Sequence, residues 1–141
     1  MSDVRHGGCV CGAVRYRLHG APVVGTVCHC KFCQKRLASA FAVLALYEMD
    51  AVEIQGEVKE IEHRSDVSGR WLRMQFCPAC GTTVSHTAEW RPGMRAMTAG
   101  TLDDPTWLRI DRHIWTQSKL PWVVIPEGVE SYPQGAGVPA K

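Results

Sequence analysis

Cys28-His29-Cys30-Lys31-Phe32-Cys33 places three thiols within six residues, and its reading decides how the rest of the chain is understood. The other four cysteines form two separated pairs, Cys9-Val10-Cys11 and Cys77-Pro78-Ala79-Cys80-Gly81, so the seven divide as two, two and three. A closed structural zinc site takes four protein ligands, whereas a reactive one keeps three and leaves the fourth position for water or substrate. The division therefore reads as a four-thiolate staple made by the outer pairs and an open three-thiolate site made by the central triplet. That gives two zinc ions per chain.

Disulfides are the competing use of cysteine, but an odd count of seven does not pair completely within one chain. The compartment also argues against them. The opening residues 1–7 carry no apolar run of the signal-peptide kind, and the longest apolar run, residues 40–47, is too short to cross a bilayer as a helix. These features predict a soluble, cytoplasmic protein, where thiols are kept reduced. With 141 residues the chain is one domain, its core spanning about 7–125 and its residues 126–141 forming a loosely ordered tail. A net charge of +2 is too mild for a nucleic-acid binder, and no membrane partner is expected.

The outer pairs differ in spacing. Cys77-Pro78-Ala79-Cys80-Gly81 is a zinc knuckle, a tight turn aiming two thiolates at one ion with a glycine to relieve the backbone. Cys9 and Cys11, if on a strand, face the same side with Cα atoms about 6.5–7 Å apart. Thiolates around a tetrahedral zinc lie roughly 3.8 Å apart. Side chains converge over that difference, so Cys-x-Cys also chelates. A rival pairing joins Cys30 and Cys33 to Cys77 and Cys80 as a zinc ribbon, leaving Cys9, Cys11 and Cys28 without a reason for their placement. The plainest alternative is a set of buried cysteines with no metal at all.

The strands are read from alternation. Val14, Tyr16 and Leu18 alternate with Arg15, Arg17 and His19 after a glycine-flanked turn at residues 7–12. A second strand at 23–27 delivers the chain into the triplet, which is read as a loop at a strand end. A turn or short helix at 34–39 leads to a buried strand at 41–47, then two exposed strands broken near Gly56. Residues 70–76 place Leu72, Met74 and Phe76 on one face of a strand that runs straight into Cys77. Further strands are expected at 82–87, 94–101, 107–115 and 122–125. Many short strands with frequent turns imply a mainly β fold of short antiparallel strands.

In the open site, Cys28, Cys30 and Cys33 suit chemistry at sulfur, because a metal-bound thiol is held as thiolate near neutral pH. His29, His86 or His113 as a fourth ligand is the alternative, which makes the metal purely structural. His113 shares a strand face with Trp115 and is a candidate acid/base, although a lone histidine is more often simply satisfied. Lys31, Lys35 and Arg36 crowd the triplet as candidate receivers for the carboxylates of an acidic thiol, against the plainer reading of a solvated face. Trp115 is a candidate substrate contact, and Trp107, Trp115 and Trp122 are first of all sheet cover.

The motifs Gly8-Cys9-Val10-Cys11-Gly12-Ala13-Val14-Arg15-Tyr16, Cys28-His29-Cys30 with Cys33, Phe76-Cys77-Pro78-Ala79-Cys80-Gly81-Thr82, and His113-Ile114-Trp115 with Pro121-Trp122 resemble the glutathione-dependent formaldehyde-activating enzyme family, which also includes centromere protein V. The resemblance implies a zinc-binding β-tent, folded sheets meeting around a structural metal. It implies that Cys9, Cys11, Cys77 and Cys80 hold that zinc and that Cys28, Cys30 and Cys33 hold the catalytic one. It implies a carbon–sulfur lyase of the S-(hydroxymethyl)glutathione synthase type, with glutathione or a glutathione adduct as the small thiol substrate. The relationship to a centromere protein keeps a second class in view, a non-catalytic zinc module for partner recognition or labile zinc.

Overall fold

The computed structural model describes residues 3–139. Eleven strands form two sheets. The smaller joins β1 (Val4–Gly8), β2 (Arg15–His19) and β5 (Val52–Gln55) in the order β1-β2-β5. The larger is built on β3 (Val24–Cys28), β4 (Ala42–Glu48), β9 (Met94–Thr98), β8 (Thr83–Ala88), β7 (Trp71–Phe76) and β6 (Lys59–Arg64), with β10 (Arg112–Ile114) and β11 (Glu130–Ser131) beyond β3. One helix, α1 (Lys31–Leu37), follows β3. No helix among the described residues is long and apolar enough to cross a membrane.

The fold is mainly β, as the alternation predicts. In β2 the side chains of Tyr16 and Leu18 are at most 1% exposed while Arg15, Arg17 and His19 face outward. Two of those outward groups, Arg17 and His19, converge on Glu53 of β5 at 3.3 and 2.6 Å. β6 is exposed along its whole length, as expected of an edge strand rich in charge.

β4 lies between two apolar cores. Ala45 and Tyr47 belong to one, with Tyr16, Leu18, Val84, Met97, Cys9 and Cys77. Ala42, Leu44 and Leu46 belong to the other, with Val24, Ala96, Cys28 and Cys33. Successive strand residues point to opposite faces, so one strand serves both. Each core thus carries cysteines from a different motif.

Most pairings are antiparallel, but β10 runs parallel to β3 and β11 parallel to β10. Parallel neighbours need a crossover, here supplied by the long connection from β9. Gly25 admits the incoming strand. A Cβ on Gly25 would sit 2.0 Å from the Arg109 carbonyl oxygen. Its N–H donates to Asp111 Oδ2 and its carbonyl accepts from the Asp111 N–H, both at 2.8 Å.

Several expected strands are revised. Of residues 107–115 only Arg112–Ile114 are strand, and 122–125 form none. There Lys119 Nζ binds the carbonyls of Leu120 and Val123, closing a loop rather than a ladder. The segment after residue 126, expected as a loose tail, returns to the sheet as β11, where the Tyr132 N–H donates to the His113 carbonyl. In β7 the buried residues are Leu72 and Gln75, three positions apart and so on opposite faces of the strand, and a bulge between Gln75 and Phe76 shifts its register with β8. Gln75 is held by polar partners, Ser85 at 2.8 Å, Glu60 at 2.7 Å and Arg95 at 2.9 Å. Periodicity alone does not foresee a buried amide.

Candidate metal centres

Cys9, Cys11, Cys77 and Cys80 bring their sulfurs within 4.8 Å of one another, although the two pairs are far apart in sequence. The Cys9–Cys11 and Cys11–Cys77 separations are 3.6 and 3.7 Å. These match the roughly 3.8 Å edge of a tetrahedral zinc–thiolate site. The donor set therefore fits a closed four-thiolate metal site.

Cys9 and Cys11 lie in a turn rather than on a strand. The Cys9 N–H donates to the Val14 carbonyl at 3.0 Å and the Val14 N–H returns to Cys9 Sγ at 3.2 Å. That last bond is the main influence lowering the Cys9 pKa. The knuckle closes similarly, with the Gly81 N–H donating to the Cys77 carbonyl at 2.8 Å and Gly81 at a φ of 79° that suits glycine. Thr82 stitches the halves together. Its hydroxyl accepts from the Val10 N–H at 3.2 Å and lies 3.2 Å from Cys80 Sγ, lowering the Cys80 pKa to about 5.

Cys28, Cys30 and Cys33 form a separate group, again with all sulfurs within 4.8 Å. The ribbon pairing of Cys30 and Cys33 with Cys77 and Cys80 is therefore not formed. Cys28 ends β3, Cys30 is the N-cap of α1 and Cys33 sits inside the helix, so the triplet is a strand-to-helix junction rather than a loop. The helix begins at Lys31 because Cys30 Sγ accepts the Cys33 N–H at 3.3 Å. Negative charge gathers on Cys30, whose pKa falls to about 3 through hydrogen bonds from Cys28 and Cys33, while its bond to Cys30 raises that of Cys28. Three sulfurs at this separation suit a thiophilic divalent ion with one position left for another ligand.

No histidine joins the triad among the described residues. His29 is fully buried, and its Nε2 lies 2.8 Å from His113 Nδ1 with the rings stacked 5.1 Å apart. Parallel pairing sets His113 beside Val27 and Ile114 beside Cys28, so strand alternation turns His113 to the face opposite Cys28. Burial lowers the pKa of both histidines, with His113 and then Lys119 adding to the effect on His29. His86 has a guanidinium at each ring nitrogen, Arg36 at 3.2 Å and Arg91 at 2.9 Å.

The remaining sequence candidates separate. Lys31 and Lys35 line an open groove of about 570 Å³ with Gln34, Ser39, Leu120 and Trp122. Trp122, 70% exposed, is the tryptophan that reaches this groove. Trp115 instead packs against the core that holds Cys28 and Cys33. Arg36 turns away from the groove, placing Nη2 3.9 Å from Cys33 Sγ. Arg91 opens an Arg-Pro-Gly stretch that carries no spacing to mark it in the sequence.

Fold and clusters together define a mainly β protein with two cysteine sites that could hold metal ions. The model of the glutathione-dependent formaldehyde-activating enzyme family matches residues 4–118, and the chain belongs to that family. A crystal structure of a Rhodobacter sphaeroides protein, a structural-genomics target, shares the fold with a TM-score of 0.54 at 18% identity, over 90% of this chain and 98% of that one. No curated protein matches the chain.

Proposed function

We propose that the chain is a zinc-dependent carbon–sulfur lyase acting on a small thiol adduct, similar to S-(hydroxymethyl)glutathione synthase. One observation carries this reading: three sulfurs converge with no fourth protein donor among the described residues. Family membership supports a glutathione-related, formaldehyde-activating chemistry. The reading assigns one zinc to Cys9, Cys11, Cys77 and Cys80 as a staple and a second to Cys28, Cys30 and Cys33. When bound, the second zinc supplies the pull that keeps an incoming sulfur as thiolate near neutral pH.

The chain's own groups do the rest. In the cleavage direction the carbon–sulfur bond breaks with its electron pair going to sulfur, the adduct's hydroxyl loses its proton, and a carbonyl forms. His113 takes the proton role in this reading, relayed through His29, whose Nε2 shares a proton with His113 Nδ1. Lys31 and Lys35 in the groove receive carboxylates of an acidic thiol, with Trp122 as its apolar wall. Trp115, the other aromatic substrate contact in this reading, is partly buried and packs against the core that holds Cys28 and Cys33. A cytoplasmic setting, where glutathione is abundant and reduced, suits this chemistry.

The test is exchange of carbon-13 formaldehyde between its hydrate and the glutathione adduct, followed by NMR with zinc-loaded protein. Acceleration that Cys30→Ser abolishes is the expected result. Equal exchange with wild type, Cys30→Ser and no protein would dismiss the enzyme reading in favour of a non-catalytic zinc module.

A further inference from the structure

Beside Cys33 the fold gathers two guanidinium groups about one imidazole. Arg36 Nη2 lies 3.9 Å from Cys33 Sγ and 3.2 Å from His86 Nδ1, and Arg91 Nη2 lies 2.9 Å from His86 Nε2. His86 is 2% exposed. A neutral imidazole has one lone pair and one N–H, so it accepts from one guanidinium and cannot accept from the other. Arg36 Nε and Nη1 are also buried and make no hydrogen bond among the described residues. Neither Arg36 nor Arg91 forms an ion pair with a carboxylate among those residues.

Arg36 and Arg91 are half-buried, and a charge drawn out of water needs partners. The other arginines nearby have acidic neighbours, Glu60 for Arg95 and Asp111 and Glu130 for Arg112. For Arg36 and Arg91 the negative charge at hand is sulfur. Arg36 Nη2 stands 3.9 Å from Cys33 Sγ, and Arg91 lies across the His86 ring from Arg36.

We propose that Arg36 and Arg91 are the counter-charges of a metal–thiolate centre at Cys28, Cys30 and Cys33, and that they make its fourth position selective for a monoanionic sulfur ligand over a neutral donor. The inference rests on the triad holding a divalent ion, as in the reading above. Three thiolates and such an ion sum to one negative charge, whereas the two guanidinium groups carry two positive ones. A neutral fourth ligand leaves a positive excess on half-buried groups; a thiolate cancels it. The arginines therefore act on ligand choice through charge, and the His86 ring lies between them with one lone pair to offer.

Cobalt(II) loaded in place of zinc reports the fourth ligand through its visible spectrum. We would titrate cobalt protein with 2-mercaptoethanol and, separately, with imidazole as the neutral probe, in wild type, Arg91→Met, Arg36→Met and Arg91→Lys. The expected result is at least a tenfold loss of mercaptoethanol affinity in either methionine variant, imidazole affinity unchanged or improved, and most of the thiol affinity kept in Arg91→Lys. An unchanged ratio of the two affinities in both methionine variants would overturn the proposal. Wild type alone gives a second reading that no folding defect can spoil. Mercaptoethanol should bind the cobalt protein at least tenfold more tightly than its thioether analogue 2-(methylthio)ethanol, which offers sulfur without a negative charge. Equal affinities overturn the proposal while leaving a sulfur site intact. A wild-type triad that holds cobalt and takes imidazole but no thiol overturns both this proposal and the lyase reading.

Discussion

His29 Nε2 and His113 Nδ1 lie 2.8 Å apart, joining residues 84 positions apart in sequence through a buried contact. His29 Nδ1 has no partner among the described residues, so His113 is the hydrogen-bonding neighbour this ring possesses. Replacing His113 with alanine leaves both ring nitrogens of a buried imidazole unsatisfied. The expected stability loss is about 1–3 kcal/mol, read by urea unfolding. In the lyase reading, exchange of formaldehyde with glutathione also slows by roughly a hundredfold or more. Unchanged exchange in a folded His113→Ala protein would remove His113 from the mechanism.

Gly25 makes that contact available. Gly25→Ala drives a Cβ into the Arg109 carbonyl oxygen, 2.0 Å away, and a backbone atom does not swing aside as a side chain would. The variant should lose roughly 1–3 kcal/mol, with the His113 ring resonances shifted in NMR as β10 moves off β3. Wild-type stability and unchanged resonances would mean that β10 is not held by this approach.

Cys77 is fully buried within the four-sulfur cluster. Cys77→Ser is expected to abolish folding, seen as loss of near-ultraviolet dichroism, because a structural metal contributes folding free energy directly. Cys30→Ser should fold, since Cys30 is only partly buried in a cluster of three, and elemental analysis should find about one fewer metal ion per chain. A folded Cys77→Ser protein would move the staple elsewhere.

His86 gives the sign of an acid effect. Burial, then Arg36, Arg91 and Arg95, hold its folded pKa well below the ordinary 6.5. The unfolded chain therefore binds more protons as pH falls below 6.5, and stability present above that pH is lost on acidification, by at most about 1.4 kcal/mol per pH unit for this group. Denaturation between pH 7 and 5 should show a shallower slope in His86→Gln than in wild type. Equal slopes would mean that His86 protonates in the folded protein.

The groove carries a prediction about substrate charge. Lys31→Glu and Lys35→Glu should raise KM for glutathione several-fold with kcat little changed, an effect that fades with added salt. A neutral thiol adduct should be indifferent to both changes. Equal effects on acidic and neutral adducts would show that the lysines act by position rather than charge.

The cysteine partition and the mainly β class were legible because both depend on local spacing: a knuckle announces itself in five residues, and Val14, Tyr16 and Leu18 alternate in plain view. What was not legible depends on contacts between distant segments. Arg91 and His86 are five residues apart, but they acquire significance only when α1 brings Arg36 to the opposite ring nitrogen. His113 shares a strand face with Trp115 by sequence parity, but parity does not say which face of the neighbouring strand it meets. Gln75 shares its strand parity with Trp71 and Arg73, and alternation has no way to register that its amide is buried among Ser85, Glu60 and Arg95. Lys31, Lys35 and Arg36 looked equivalent in sequence, yet the helix sends the lysines to a groove and the arginine to Cys33.

β4 is buried on both sides, and each side belongs to the core of a different cysteine cluster. The partition between the two centres is thus one strand thick, with no solvent layer to absorb movement. A shift of Tyr47 or Ala45 on one side is a shift of Leu46 or Leu44 on the other, because they are neighbours on one backbone. In the lyase reading a metal closing the outer cluster would stiffen the wall against which the triad is set, lending rigidity to the half whose fourth position stays open.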